Sequence, residues 1–118
     1  MIIGIGTDIC EISRIKELLA KQGERFTARV LTPEEIAAKG EITPDFLAKR
    51  YAAKEACAKA AGTGIGDKLS FQDIMISNAA SGAPLLQVNR EEFTHLKWHL
   101  SMSDEQAYAL AFVVAEEA

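Results

Sequence analysis

Residues 43–66, TPDFLAKRYAAKEACAKAAGTGIG, decide how the rest of the chain must fold. Thr43 is a side chain that caps helices, Pro44 suits a first helical position, and Asp45 faces the positive end of the helix dipole. Gly62 is the residue type that ends helices in a left-handed conformation. Strong helix formers, alanine above all, fill the interval, so the spacing predicts one long helix. At 3.6 residues per turn it has two unlike faces. Phe46, Ala53, Cys57 and Ala60 form a stripe that narrows to small side chains, which lets another backbone or sheet approach closely. Tyr51, Glu55 and Lys59 recur at i, i+4 and i+8, with Lys54 beside them. A carboxylate flanked by two ammonium groups is either a solvated surface pair or a metal-binding carboxylate with lysines for phosphate. The second reading needs another acidic ligand from elsewhere.

A candidate for that second acid lies in the N-terminal segment. Met1–Thr7 reads as a short buried strand in which Ile2, Ile3 and Ile5 alternate with Gly4 and Gly6. Asp8 follows directly, at the junction with a helix carried by Ile12, Ile15, Leu18 and Leu19 and ended by Gly23. An acid there either caps the helix or serves as a rigidly held metal ligand. The Gly-x-Gly lacks the third glycine of a dinucleotide loop and no Gly-Lys-Ser/Thr follows, so close backbone approach explains these glycines.

Further along, Phe26 and Val30 predict one or two more helical turns. Thr32-Pro33-Glu34-Glu35 is a capping box that starts a short helix ending by Gly40. Beyond the central helix the pattern turns to strands: Leu69–Asn78 and Leu85–Val88 around the turn residues Ser81-Gly82-Ala83-Pro84, then Lys97–Met102 and Tyr108–Val114. Helices in the first half and antiparallel strands in the second make an α+β layout, with the central helix packed on the sheet. Leu110, Phe112 and Val114 share one face of the last strand and Val113 the other. Apolar residues on both faces point to subunit contact.

With 118 residues the chain has the size of one domain, residues 1–118, without repeats or linkers. No apolar run approaches a membrane span and MIIGIGTDI lacks the features of a signal peptide, so a cytoplasmic protein without membrane contact is expected. Cys10 and Cys57 have no metal-ligand spacing; Cys57 lies on the small-residue stripe as an apolar filler. A net charge of −4 argues against nucleic acid as partner. Yet Arg14, Lys16, Lys21, Arg25 and Arg29 outnumber Glu17 and Glu24 in one stretch, a basic patch suited to an acidic partner.

Gly4-Ile5-Gly6-Thr7-Asp8-Ile9 with Arg14-Ile15 resembles the opening motif of the holo-acyl-carrier-protein synthases. Arg50-Tyr51-Ala52-Ala53-Lys54-Glu55-Ala56 with Lys59 and Gly62–Gly66 is similar to that family's second motif. Arg25-Phe26, Val30-Leu31-Thr32 and Leu69–Ile74 also match, so the likeness runs along nearly the whole chain. It implies a 4′-phosphopantetheinyl transferase fold and transfer of 4′-phosphopantetheine from coenzyme A to a serine of apo acyl carrier protein, releasing adenosine 3′,5′-bisphosphate. It also implies a homotrimer with sites between neighbouring subunits. Asp104 stands where many members carry a histidine, and His99 is the nearest substitute.

The chemistry suits the residues. Attack on a pyrophosphate needs charge neutralisation more than covalent help. Mg²⁺ usually takes one or two carboxylates plus phosphate oxygens, which Asp8 and Glu55 can supply. Asp8, Glu55 and Lys59 are therefore the expected catalytic residues, while Glu55, Asp8 and a metal-bound water all stay open as the general base. Coenzyme A is expected on Arg50, Lys54, Lys59, Gly62, Thr63, Gly64 and Pro84, with the arginine fork suited to its 3′-phosphate. The resemblance implies an acidic carrier, for which Arg14, Lys21 and Arg25 form the dock. Two other readings use the same residues: a non-catalytic trimeric binding module, and a pyrophosphate hydrolase with water as nucleophile.

Overall fold

The computed structural model describes residues 1–117. Its hub is the predicted long helix, α4 (Pro44–Ala61), with Thr43 Oγ1 accepting from the Phe46 N–H at 3.4 Å and Gly62 in the left-handed region at φ 83°. Before it come β1 (Ile2–Glu11), α1 (Ile12–Gln22), α2 (Glu24–Val30) and α3 (Pro33–Lys39). After it come β2 (Ile74–Asn78), β3 (Pro84–Val88), β4 (Leu96–Asp104) and β5 (Tyr108–Glu117), with single 3₁₀ turns at Phe71–Asp73 and Glu91–Phe93. The α+β layout holds, and the capping box at Thr32 is formed in full: the Thr32 N–H donates to Glu35 Oε1 and the Glu35 N–H to Thr32 Oγ1.

The strands form two antiparallel sheets, β1-β5-β4 and β2-β3. Two boundaries depart from the sequence reading. The first strand does not stop at Thr7 but runs to Glu11, because β5 pairs with it from Ile2 to Glu11. Asp8 is thus a strand residue opposite Ala111, not the cap of α1. The strand expected from Leu69 begins at Ile74, since the Ser70–Asp73 capping box winds the preceding residues into a 3₁₀ turn.

The large sheet packs its inner face on α4 through small side chains. Ala48, Ala52, Ala53, Ala56 and Ala60 of the helix are buried, as are Ala109, Ala111, Val113 and Ala115 of β5. Gly4 and Gly6 bring β1 still closer. A Cβ on Gly4 would overlap the Ala60 carbonyl oxygen, and one on Gly6 would overlap the Ala56 carbonyl oxygen. Inward positions on β1 therefore run Gly4, Gly6, Asp8, Cys10. Two glycines seat the strand on the helix, and the next inward side chain is the acid.

The outer face of the same sheet is apolar and bare. Ile5, Ile9, Leu110 and Phe112 are 62%, 63%, 43% and 45% exposed, arranged as cross-strand neighbours Thr7↔Phe112 and Ile9↔Leu110. Among the described residues, no helix covers this face.

Candidate functional site

Asp8, Glu55 and Lys59 meet where β1 crosses α4. Lys59 Nζ donates to the Thr7 carbonyl at 3.0 Å and to Asp8 Oδ1 at 3.2 Å. Glu55, one turn earlier on the helix, is half-buried. Its carboxyl is held above the usual carboxylate range, first by burial and then by the charge of Asp8; Lys59 and Arg14 pull the other way. Two carboxylates that repel each other across a partly dry site, with one ammonium bonded to Asp8 alone, leave negative charge for a dication to satisfy. Among the described residues, no group of three His, Cys, Asp or Glu side chains converges on one point. A two-carboxylate donor set suits Mg²⁺, which keeps waters and takes phosphate oxygens, better than a caged metal.

The expectation that Lys54 faces phosphate is corrected. Its side chain is fully buried, and Nζ donates to Glu35 Oε1 at 2.7 Å, the Val30 carbonyl at 2.8 Å and the Phe71 carbonyl at 3.0 Å. Three acceptors use all three ammonium protons, so none remains for a ligand. The physical reason is angular: Lys54 lies one residue, or about 100°, from Glu55, enough to turn it from the Asp8 side into the core.

Arg50 lies five residues before Glu55, roughly 140° round the helix, and lines a different space. That cavity, of about 480 Å³, is bordered by Lys39, Phe46, Arg50, Ser77 and Asn78. Arg50 is 7% exposed; its Nη2 donates to Asn78 Oδ1 at 3.1 Å and its guanidinium sits 4.8 Å from the Phe46 ring centroid. Lys39 approaches the same ring at 5.1 Å. Arg50 Nε is buried without a partner. Sequence reasoning put Phe46 in the core stripe and overlooked Asn78 and Lys39; only the fold brings α3 and β2 beside Arg50. Asn78 also donates to the Gly82 carbonyl at 3.0 Å and is the cross-strand partner of Pro84, which does not itself line the Arg50 cavity.

Gly62, Thr63 and Gly64 fold back over the end of α4. The N–H groups of Thr63 and Gly64 both donate to the Ala58 carbonyl at 3.1 Å, and Gly64 adopts φ 66°. Arg90 ties down the following loop by gripping the Asp67 carbonyl and Asp73.

Arg14, Lys21 and Arg25 are all exposed on α1 and α2. Asp104 pairs with Lys49 at 3.5 Å, whereas His99 pairs with Glu116 at 2.9 Å on the outer sheet face. His99 is therefore engaged away from Asp104. Both cysteines are buried and free, and burial pushes the Cys57 thiol up to about 12, which leaves it an inert filler as expected.

Residues 4–113 match the family model described as the 4′-phosphopantetheinyl transferase superfamily. A holo-[acyl-carrier-protein] synthase of Marinomonas sp. (strain MWYL1) is 49% identical, with 98% of each chain covered. The crystal structure of the holo-[acyl-carrier-protein] synthase of Neisseria meningitidis superposes with a TM-score of 0.90 at 46% identity, over 99% of this chain and 100% of that one. The holo-(acyl-carrier-protein) synthase of Bacillus anthracis, in complex with CoA (3′,5′-ADP), gives 0.86 at 42% identity over 100% and 99%.

Proposed function

This chain belongs to the 4′-phosphopantetheinyl transferase superfamily, and from that premise we propose that it is a single transferase domain, residues 1–118, that makes holo acyl carrier protein from coenzyme A and apo carrier. The product serves fatty acid biosynthesis, in the cytoplasm. The observation that supports the reading is the junction of β1 and α4, where Lys59 bonds Asp8 and the Asp8 charge bears on Glu55.

The reaction joins a carrier serine oxygen to the β-phosphorus of coenzyme A and breaks the pyrophosphate bond, with adenosine 3′,5′-bisphosphate as leaving group. Asp8 and Glu55 would hold Mg²⁺, which when bound neutralises pyrophosphate charge and draws phosphorus toward attack. Lys59, tethered to the Thr7 carbonyl, keeps an ammonium at the edge of the carboxylate pair. That fixed charge offsets what builds on the phosphate oxygens without reorganising. Arg50, which lines a cavity beside an aromatic ring, suits the donor's nucleotide end and its 3′-phosphate. The Gly62–Gly64 turn gives backbone access without bulk. The serine proton passes to one of Glu55, Asp8 or a bound water. Arg14, Lys21 and Arg25 receive the acidic carrier, speeding encounter and setting its orientation.

The bare outer sheet face supports a homotrimer. Four large apolar side chains between 43% and 63% exposed are a poor solvent surface for so small a domain, and a second copy removes them from water. Phe112→Asp places a charge in that contact and should dissociate the assembly and stop transfer together; light scattering of an active monomer at assay concentration would refute it.

One experiment separates the function from its rivals: incubation with coenzyme A, Mg²⁺ and apo carrier, followed by intact-mass measurement of the carrier. A phosphopantetheine gain is the expected result. Coenzyme A cleaved without carrier gain would mean a hydrolase, and no change in either would mean a binding module.

A further inference from the structure

We propose that Tyr51 is a positioning residue for carrier recognition, its hydroxyl and ring holding the Arg14 guanidinium at the boundary between the basic helices and the carboxylate pair. The inference rests on the transfer reading above and names a residue within it.

The Tyr51 ring is fixed from two sides. Phe26 of α2 lies 6.2 Å away and Phe71 of the 3₁₀ turn 5.5 Å away, both tilted, so three aromatics from three elements lock one another. From that fixed ring the hydroxyl reaches the surface. Arg14 Nη2 donates to it at 3.4 Å, and the guanidinium carbon stands 5.9 Å from the ring centroid. Both contacts are at the long end of their kinds, so they favour one arrangement of the arginine without fixing it rigidly. Among the described residues, the side chains of Lys16, Lys21, Arg25 and Arg29 have no hydrogen-bond or ion-pair partner. Arg14 alone in the patch is tethered.

The position matters because Tyr51 precedes Glu55 by one turn on the same face of α4. Arg14's charge is felt by both: it opposes the upward pull of burial on the Tyr51 phenol and on the Glu55 carboxyl. The tethered guanidinium therefore stands where the docking patch meets the carboxylate pair. A carrier whose acidic surface flanks its reacting serine would meet a cation already in place, instead of having to order a long flexible side chain on arrival. The alternative is that Tyr51 only fills space between Phe26 and Phe71, in which case phenylalanine would serve as well.

Tyr51→Phe keeps the ring and removes the hydroxyl. At low salt we expect its KM for apo carrier to rise about threefold, with KM for coenzyme A unchanged and kcat at saturating carrier within about twofold. The Kd for apo carrier measured by calorimetry without coenzyme A should rise by the same factor, and the thermal midpoint should stay put. In an Arg14→Gln background the tyrosine substitution should add nothing, because its effect runs through Arg14. Unchanged carrier KM and Kd, an effect fully additive with Arg14→Gln, or a lowered thermal midpoint would each overturn the inference. Wild-type protein that transfers normally beside an unaltered Tyr51→Phe variant defeats this inference alone; wild-type protein that transfers nothing defeats the proposed function and this with it.

Discussion

Helix α4 carries two lysine–carboxylate pairs five residues apart, and they have opposite characters. Lys54–Glu35 closes at 2.7 Å with both side chains at most 2% exposed. Lys59–Asp8 closes at 3.2 Å with side chains 52% and 18% exposed. In the first, every donor and acceptor is taken: the ammonium has three acceptors, and Glu35 also receives the N–H groups of Thr32 and Ile76 at 2.8 Å. Burial pulls the Lys54 ammonium below the ordinary lysine value while the Glu35 charge holds it up. In the second, Asp8 keeps lone pairs free and Glu55 stands near without a hydrogen-bonded partner of its own among the described residues. A saturated pair ties α2, α3, α4 and β2 together; an unsaturated one is free to bind something. The same two residue types become structure or site according to how many of their hydrogen bonds are already made.

The widest gap between the two pairs should appear in activity. Asp8→Ala or Glu55→Ala is expected to cut phosphopantetheine transfer by roughly a thousandfold. Far-UV dichroism and the thermal midpoint should be close to wild type, and chelation of Mg²⁺ should give the same loss. Retained turnover in both variants would sink the metal assignment. Lys54→Met should do the reverse. It leaves the Glu35 carboxylate buried without its counter-charge, so it should cost about 3–5 kcal/mol in a urea titration and lower the thermal midpoint by about 10 °C or more. If that variant melts like wild type, the saturated pair is not what joins the helices to β2.

Filling both positions with apolar groups tests how much of the effect is charge. Lys54→Met with Glu35→Leu removes both ions but orphans the N–H groups of Thr32 and Ile76 and the carbonyls of Val30 and Phe71. About 2 kcal/mol or more of the deficit should persist; full recovery would show those backbone groups find water. The smallest effect expected is in pH. Glu55 is raised in the folded protein, so its contribution to stability of the metal-free protein is present below the unfolded carboxylate value and lost as pH rises through the folded one. Mg²⁺ must displace that proton, so its affinity should begin to weaken on acidification above the usual carboxylate range. Calorimetry across pH with wild type and Glu55→Gln checks this, and identical pH profiles for the two would count against it.

Much of this contrast was legible in the sequence, but not its sharpest part. The caps at Thr32, Thr43 and Gly62 are local chemistry, and the structure forms each where the sequence places it. The outward set Leu110 and Phe112 against inward Val113 followed from alternation alone. The burial of Lys54 depends on Glu35, nineteen residues away, whose capping role gives no sign that the same Oε1 also takes a lysine of another helix while Oε2 holds a strand N–H. The Arg50 cavity was hidden for a like reason. Lys39, Phe46 and Asn78 come from α3, α4 and β2, and no periodicity in any one of them announces the others. The extent of β1 to Glu11 was likewise decided by β5, which the N-terminal residues cannot specify by themselves.

The glycines of β1 act as a gauge. Because Gly4 and Gly6 carry no side chain, the strand comes to rest against the carbonyls of Ala60 and Ala56, a hard stop made of backbone on both sides. Asp8 is the next inward residue, so its reach toward Glu55 is measured from that stop and not from any compressible packing. One added methyl at Gly6 would lift the strand and swing Asp8 away from the helix, leaving both carboxylates present and the bite between them too wide. The geometry that the chemistry depends on is thus calibrated by atoms the chain omits.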